Sequence, residues 1–524
     1  MQHTTHNTQN IHLMSNQTSD NNKRIAKNTV YLYFRMMVTV LVSLYTSRVI
    51  LKTLGVSDFG VYNVMGGIIG MLGYVNSLLA GGTSRFLTIG LGKNDMPRLK
   101  MIFSTSFTLC VTSSVLILLL GETIGLWFVN TQLNIDPLRM EAANWVYQCA
   151  LFSSALTVVQ TVFTASIISH EKMSIYAYMS ILDVVFKLGI VFMLLCFDFD
   201  KLKLYALLMF VVNTMVFSIY YLYCKLNFEE IRTKLSLNRD LFKEMFSYSS
   251  WNMIGGFSGV LNNYGINILL NIFFGTIVNA SRGVALQVNN LVQQFYSNFQ
   301  MASQPQIMKY YAQGKIADMS HLIVNNSKYC SLILLCPIIP IFIYVDKLLF
   351  IWLGQVPDYS SSFVRITLIY TFLCSIDAPV GMGIHAVGKM KLPNCTTAIV
   401  NFLNFPIVYM VIKLGANPIV SYCFTLTALP INLCIDLLIL RRYTGFSITT
   451  FIKKTLVPIA YITMVGLLVP MAISFLLPDT ILLTIVKCIL SAVYIAIVIF
   501  FLGLSESMRN KVLIKLKVKH ENNS

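Results

Sequence analysis

The chain has 524 residues, 56% of them hydrophobic and only 12% charged, with a mean hydropathy of +0.68. Soluble domains carry roughly 25% charged residues, so the composition excludes an ordinary water-soluble globule and points to a protein built inside a bilayer. A formal net charge of +17 raises nucleic acid as a partner, and the positions of the charges decide that question.

Residues 1–27 are rich in Asn, His and Thr and lack an apolar core, so they read as a disordered segment rather than a cleavable signal. Crossing the ~30 Å hydrocarbon core takes roughly 20 apolar residues. Fourteen such segments follow, at 28–50, 61–82, 101–121, 143–168, 174–197, 202–224, 246–274, 279–302, 324–346, 363–387, 396–414, 418–440, 455–477 and 481–503. The predicted fold class is all-α and polytopic, with about 14 transmembrane helices, of which the fourth and eighth are the most polar. With the N-terminus in the cytoplasm, alternation puts about 27 of the 39 Lys and Arg on that side, the positive-inside signature. A basic tail, 504–524, ends on the same face. The positive charge is thus topological, and nucleic acid is not implied. The eleven Cys lack any CxxC spacing and lie mostly within spans, so neither a disulfide nor a metal site is inferred from them.

The longest connection, KLNFEEIRTKLSLNRDLFKEMF, mixes charges with apolar residues at helical spacing. Its 225–245 part is expected to form a cytoplasmic amphipathic linker. It separates an N-lobe, 28–224 (spans 1–6), from a C-lobe, 246–440 (spans 7–12), leaving 441–503 as two appended spans. A sequence echo supports the division: GKNDMPRL (Gly92–Leu99) returns as GKIADMSHL (Gly314–Leu322), each just past the second span of its lobe. Six spans per lobe make the repeats parallel, with a substrate path expected between them.

This 6 + 6 + 2 order, with the passage YTSRVILKTLGVSDFGVYNVMGGIIGMLGYVNSLLAGGTSRFLTIGLGKND (Tyr45–Asp95), resembles the polysaccharide-transporter branch of the multidrug/oligosaccharidyl-lipid/polysaccharide flippase superfamily. That branch holds the O-antigen and capsule repeat-unit flippases of bacteria. The lipid II flippases and drug/cation antiporters are more distant relatives. The resemblance implies V-shaped helical lobes that open alternately to either side of the bacterial inner membrane, with both termini cytoplasmic. It implies a flippase rather than an enzyme, carrying an oligosaccharide on a polyprenyl diphosphate. Polysaccharide polymerase and chain-length machinery would then be partners.

Such a cargo needs cations at membrane depth, because guanidinium groups match phosphate oxygens in geometry. The candidates are Arg35, about 10 Å into span 1 at 1.5 Å per residue, and Arg48, Arg85, Arg282 and Arg365. The last four lie close enough to an interface to snorkel instead. Arg85 marks the edge of span 2, at the expected mouth of an inward-facing cavity. Asp183 and Lys187 share one face of span 5 and read either as a neutralised internal pair or as a charge relay. Asp377 precedes Pro379, Gly381 and Gly383, where a bend is allowed, and reads either as a site coupling transport to H⁺ or Na⁺ or as plain packing at a kinked helix. No other cofactor is called for. Lys487 in span 14 has no sequence-evident partner.

For the sugars, span 7 carries Asn263, Asn267 and Asn271 at i, i+4 spacing, and span 8 carries Gln287, Asn290 and Gln294. Buried amides in a spanning helix need partners, which either neighbouring helices or a hydrated, sugar-bearing lumen supplies. Two whole polar stripes favour the lumen. Trp251, Tyr264, Phe295 and Tyr296 offer ring faces for stacking. Gly66, Gly67, Gly70, Gly73, Gly255 and Gly259 are read as close helix contacts first and hinges second. Two alternatives remain: a drug/cation antiporter, which would place carboxylates in an apolar pocket, and a membrane glycosyltransferase or polymerase, which would need catalytic clusters on longer external loops.

Overall fold

The computed structural model describes residues 37–71, 83–84, 86–87, 90–91, 95–170, 172–197, 199–232, 238–388, 391–478, 480–506 and 509–510. Among these residues the chain is helical with no strand, and eleven helices are long and apolar enough to cross a membrane. The chain is a multi-pass membrane protein. In order the helices are α1 (Met37–Met71), α2 (Met96–Gln132), α3 (Met140–Ser169), α4 (Met173–Cys196), α5 (Lys201–Asn227), α6 (Arg239–Phe274), α7 (Thr276–Ala312), α8 (Ile316–Leu353), α9 (Ser360–Val387), α10 (Lys391–Lys413), α11 (Pro418–Thr444), α12 (Ile448–Leu476) and α13 (Ile481–Gly503).

Helices α6 and α7 run 36 and 37 residues, and their extra length comes with the amide stripes that make them too polar for that set. Helix α1 merges the first two expected spans, but Gly55 interrupts it at φ +79°, a left-handed conformation that Gly adopts without a Cβ clash. The start of α2 is set by Asp95, whose side chain accepts from the Arg98 N–H at 3.0 Å, with a proline in the first turn. In the second copy of the echo, Gly314 turns at φ +71° and Asp318 lies in the first turn of α8. The repeated motif is therefore, physically, a way of beginning a spanning helix. The connection expected as a linker over 225–245 is divided. Its described residues belong to the end of α5, a single 3-10 turn at Glu229–Arg232, and the start of α6.

The chain forms two compact units. One comprises 1–54, 72–131 and 138–249; the other comprises 55–71, 132–137 and 250–524. In the first, α3 packs against α2 and α5 around Phe163, whose ring meets Phe103, Phe107, Phe217 and Tyr221 at centroid distances of 5.6–6.2 Å. At one end of this bundle Arg139 donates to Asp200 at 2.7 Å. Asp200 also caps α5 through the Leu202 and Lys203 N–H groups. Burial pushes the Asp200 carboxyl up, but these hydrogen bonds outweigh it and hold the group below the ordinary aspartate range. At the other end the His170 ring stacks on Phe228 at 4.1 Å and bonds the buried Glu230 at 2.8 Å.

In the second unit α9 lies against α7, α8 and α11, and α12 and α13 pack on α8. Ile323, Ile339, Ile376, Leu440, Phe451 and Ile495 belong to its main apolar cluster. Gly383 lets α9 approach closely, since a Cβ there would stand 2.6 Å from Ile323 Cδ1. The last two spans are thus fastened to this unit. Lys487 of α13 is fully buried there, donating to the Leu477 carbonyl at 2.7 Å over the Tyr344 ring.

Candidate functional site

Two polar systems diverge from the amide stripe of α6. Toward the turn between α6 and α7, the amides are joined to one another. Asn279 donates to the Asn267 carbonyl at 2.8 Å and to Asn267 Oδ1 at 3.0 Å, and it accepts from Asn271 at 2.8 Å. Asn271 Oδ1 accepts from the Asn134 N–H at 3.0 Å, and Asn267 donates to the Asn63 carbonyl at 3.4 Å. Asn267, Asn271 and Asn279 are all buried. The structure therefore uses Asn267 and Asn271, expected to face sugar, as helix-to-helix ties. Gly60, Gly67, Gly70 and Gly283 line the same seam. A Cβ at each would stand 2.8 Å or less from an atom of Thr276, Asn267, Tyr264 or Asn63, respectively. Of the glycines read as close contacts, Gly67 and Gly70 are in this seam, while Gly66 and Gly259 face open space. Asn279→Leu should strand the Asn267 and Asn271 side chains. At about 1–3 kcal/mol for each unsatisfied buried polar group, a thermal unfolding scan in detergent should show a clear loss of stability.

Farther along α6 the stripe opens into a cavity of about 550 Å³ formed within the second unit. Helices α6, α7, α9, α10 and α11 all contribute to its wall. Asn262, Asn263, Asn289, Asn401 and Asn432 supply amides, and Tyr264, Tyr370 and Tyr422 supply phenols. Many of these groups hold one another. Asn404 donates to Asn262 at 3.1 Å, Asn401 donates to Ser258 at 3.3 Å, Thr367 and Tyr422 share a 3.0 Å bond, and Thr371 donates to Asn289. Among the described residues that line the cavity there is no carboxylate, and one cation, Arg282.

Arg282 is 3% exposed. Its Nη2 donates to the Asn263 carbonyl at 2.8 Å and to Asn263 Oδ1 at 2.6 Å, and its guanidinium lies over the Tyr422 ring at 4.9 Å. Its Nε and Nη1 have no hydrogen-bond partner among the described residues. A cation–π contact on a desolvated ring contributes about 2 kcal/mol, whereas a buried charge without its counter-ion costs several kcal/mol. Among the described residues the guanidinium is held in place by neutral groups, with no carboxylate bonded to it. The Asn432 Oδ1 acceptor on the cavity wall is likewise buried without a donor among the described residues.

The other expected site residues are distributed as follows. Arg365 donates to Asp346 at 2.7 Å and to the Phe342 carbonyl at 3.2 Å, so its charge is matched within the bundle and it does not line the cavity. Arg48 is exposed on the 37–54 stretch. Arg35 and Arg85 lie outside the described residues. Asn290 is exposed, Gln294 is half-buried, and Gln287 carries a buried Oε1 without a donor; none of the three lines this cavity. Lys187 donates to Asp183 at 2.8 Å, a closed pair within the first unit.

Asp377 of α9 lies within electrostatic reach of Asp436 on α11, which packs against it. Each carboxylate has a buried Oδ1 with no partner among the described residues. Sequence reasoning missed Asp436 and Asn432, although their i, i+4 spacing on span 12 is the pattern that singled out span 7. It also missed Asn401 and Asn404 on span 11.

No family model matches the chain, and no curated protein does. Solved structures do. A lipid II flippase, MurJ, in an inward-closed conformation aligns over 90% of this chain and 98% of its own, with 12% identity and a TM-score of 0.66. The helical fold is therefore like that of this flippase. An inward-facing multidrug-resistance MATE transporter covers 80% of this chain and 98% of its own at 12% identity and a TM-score of 0.62. A MOP-superfamily transporter from Pyrococcus furiosus, described by the reverse polarity of its binding pocket, covers 80% and 96% at 12% identity and 0.56.

Proposed function

We propose that the protein is a flippase for an anionic, hydroxyl-rich lipid headgroup. Its cargo in this reading is a polyprenyl-diphosphate-linked oligosaccharide repeat unit, moved from the cytoplasmic to the outer leaflet by alternating access for surface polysaccharide. The observation that carries this reading is Arg282, a cation held in an amide- and phenol-lined cavity with no carboxylate among the described residues of its wall. An ionisable side chain at membrane depth is costly, and cavities that keep one use it. A drug/cation antiporter would call for the opposite polarity at this position. The Lys and Arg bias of the connecting loops supports cytoplasmic termini, and in this reading the membrane is a bacterial inner membrane.

Asp377 and Asp436 supply the coupling site, taking up H⁺ or Na⁺ where each carboxylate keeps a buried Oδ1 with no partner among the described residues. Asp377→Asn should make transport independent of the ion gradient, read in proteoliposomes with an imposed pH or Na⁺ step. The function itself is tested by deleting the gene. Lipid-linked repeat units should accumulate on the cytoplasmic leaflet while surface polysaccharide is lost. Normal polysaccharide accompanied by drug hypersensitivity would replace this reading with the antiporter.

A further inference from the structure

The cavity has two unmet requirements of opposite kind, and together they narrow what fits it. Arg282 offers three N–H donors, one on Nε and two on Nη1, none of which has a partner among the described residues. Asn432 Oδ1, on the same wall, is a buried acceptor with no donor among the described residues. A diphosphate could meet the first requirement only. Ionised phosphate oxygens accept hydrogen bonds and bring no O–H to Asn432, and among the described residues of the wall a multiply charged group would find one cation. A neutral sugar could meet the second only, leaving the guanidinium uncompensated.

A ligand carrying one anionic oxygen group and neighbouring hydroxyls meets both. The rest of the wall suits it: Asn262, Asn263, Asn289 and Asn401 present amides, and Tyr370 and Tyr422 present phenol rings and hydroxyls. At about 550 Å³ the space falls inside the range of roughly 300–1,000 Å³ typical of small-molecule pockets.

We infer that this cavity is a recognition site for a single acidic sugar residue, its carboxylate on Arg282 and a ring hydroxyl on Asn432. The inference rests on the flippase reading and adds to it: the pocket selects headgroups by a sugar-borne acid, and the diphosphate is bound elsewhere. All of the wall belongs to one compact unit, so the same residues surround the sugar however the two units are disposed.

The test measures equilibrium binding of three probes to the purified full-length chain in nanodiscs: methyl β-D-glucuronide, methyl β-D-glucoside and inorganic pyrophosphate. The glucuronide should bind at least about tenfold more tightly than the glucoside, the difference one charge-assisted hydrogen bond makes. Pyrophosphate should not displace it. Arg282→Gln should erase the preference and leave both sugars bound at the glucoside level, and Arg282→Lys should keep part of it. Asn432→Leu should weaken both sugars several-fold while the acid preference survives. Each variant is accepted only if it elutes as a monodisperse peak with a cooperative thermal transition.

Displacement of the glucuronide by pyrophosphate would assign Arg282 to the diphosphate and overturn the inference while leaving the flippase reading intact. Equal binding of the two sugars, or binding of neither, would overturn it as well. A flipping assay with a lipid-linked neutral glycan reads the function separately, since a protein that fails to bind the acid can still pass or fail that assay.

Discussion

Arg282→Gln should abolish transport while leaving the protein as stable as before, or slightly more stable. The two halves of that expectation come from one fact. The guanidinium keeps contact with Asn263 and Tyr422 but has no carboxylate partner among the described residues, so its buried charge is uncompensated by them. Removing such a charge relieves a desolvation cost, whereas removing one partner of a bound ion pair costs about 2–5 kcal/mol of interaction. That corresponds to a loss of roughly thirtyfold to several thousandfold in the cargo-bound state. Arg282→Lys keeps the charge but loses the planar stack on Tyr422, and should retain transport at a reduced level. The measurements are flipping of a lipid-linked glycan in proteoliposomes and thermal unfolding of the same preparations. A joint fall in stability and transport would make Arg282 a structural tie and remove it from the site.

The split between what could be read in the sequence and what could not follows the range of the forces involved. Spanning helices are specified locally by apolar length, so the helical polytopic architecture was legible, as was the start of α2 at its Asp and Pro. The amide stripe on span 7 was visible too, but one stripe serves two ends. Asn263 faces the cavity, while Asn267 and Asn271, on the same helix face, are bonded to Asn279. Nothing in i, i+4 spacing says which amide has a neighbour, because Asn279 lies beyond the next turn and Asn63 some two hundred residues away.

The arginines show the same limit. Arg282 and Arg365 look alike as residues near the start of a span. Arg365 finds Asp346 one helix earlier, and among the described residues Arg282 finds Asn263 and a ring. Long-range pairing distinguishes a snorkelling or neutralised arginine from one that waits for an anion, and a single sequence does not encode it in any spacing. The carboxylate pair is the intermediate case. Asp377 stood out beside its proline, whereas Asp436 acquires meaning only when α11 packs on α9.

Gly60→Ala should be the most damaging small substitution in the second unit. Lipid tails give apolar helices no solvent-driven reason to associate, so close packing of small residues does much of the work. Along the 55–71 stretch, that packing is against α6 and α7. A Cβ at residue 60 would stand 1.9 Å from the Thr276 carbonyl oxygen and 2.6 Å from its carbon. Both are backbone atoms at the α6–α7 turn, which is already fixed by Gly275 at φ +79° and by its N–H bond to Asn271 at 2.8 Å. No rotamer change relieves such a contact; one helix must move bodily by more than an ångström. That movement would be felt at Gly283 and Gly67, which abut Asn63 and Asn267, and would stretch the Asn267–Asn279–Asn271 bonds beyond hydrogen-bonding length. Overpacking alone costs about 1–3 kcal/mol, and each buried amide left unsatisfied adds about 1–3 kcal/mol. The sum approaches the whole stability of many domains, so the variant should be scarce in the membrane and unfold early in detergent. Gly66 provides the control. It lies on the same stretch, six residues on, with nothing within 4 Å of its would-be Cβ, and Gly66→Ala should gain about 0.5–1 kcal/mol from helix propensity. Fluorescence-detected size exclusion and thermal unfolding of the two variants side by side give the comparison. Equal behaviour would mean that the seam is looser than the Gly60–Thr276 approach requires, and the amide ties on Asn279 would then have to hold these helices by themselves.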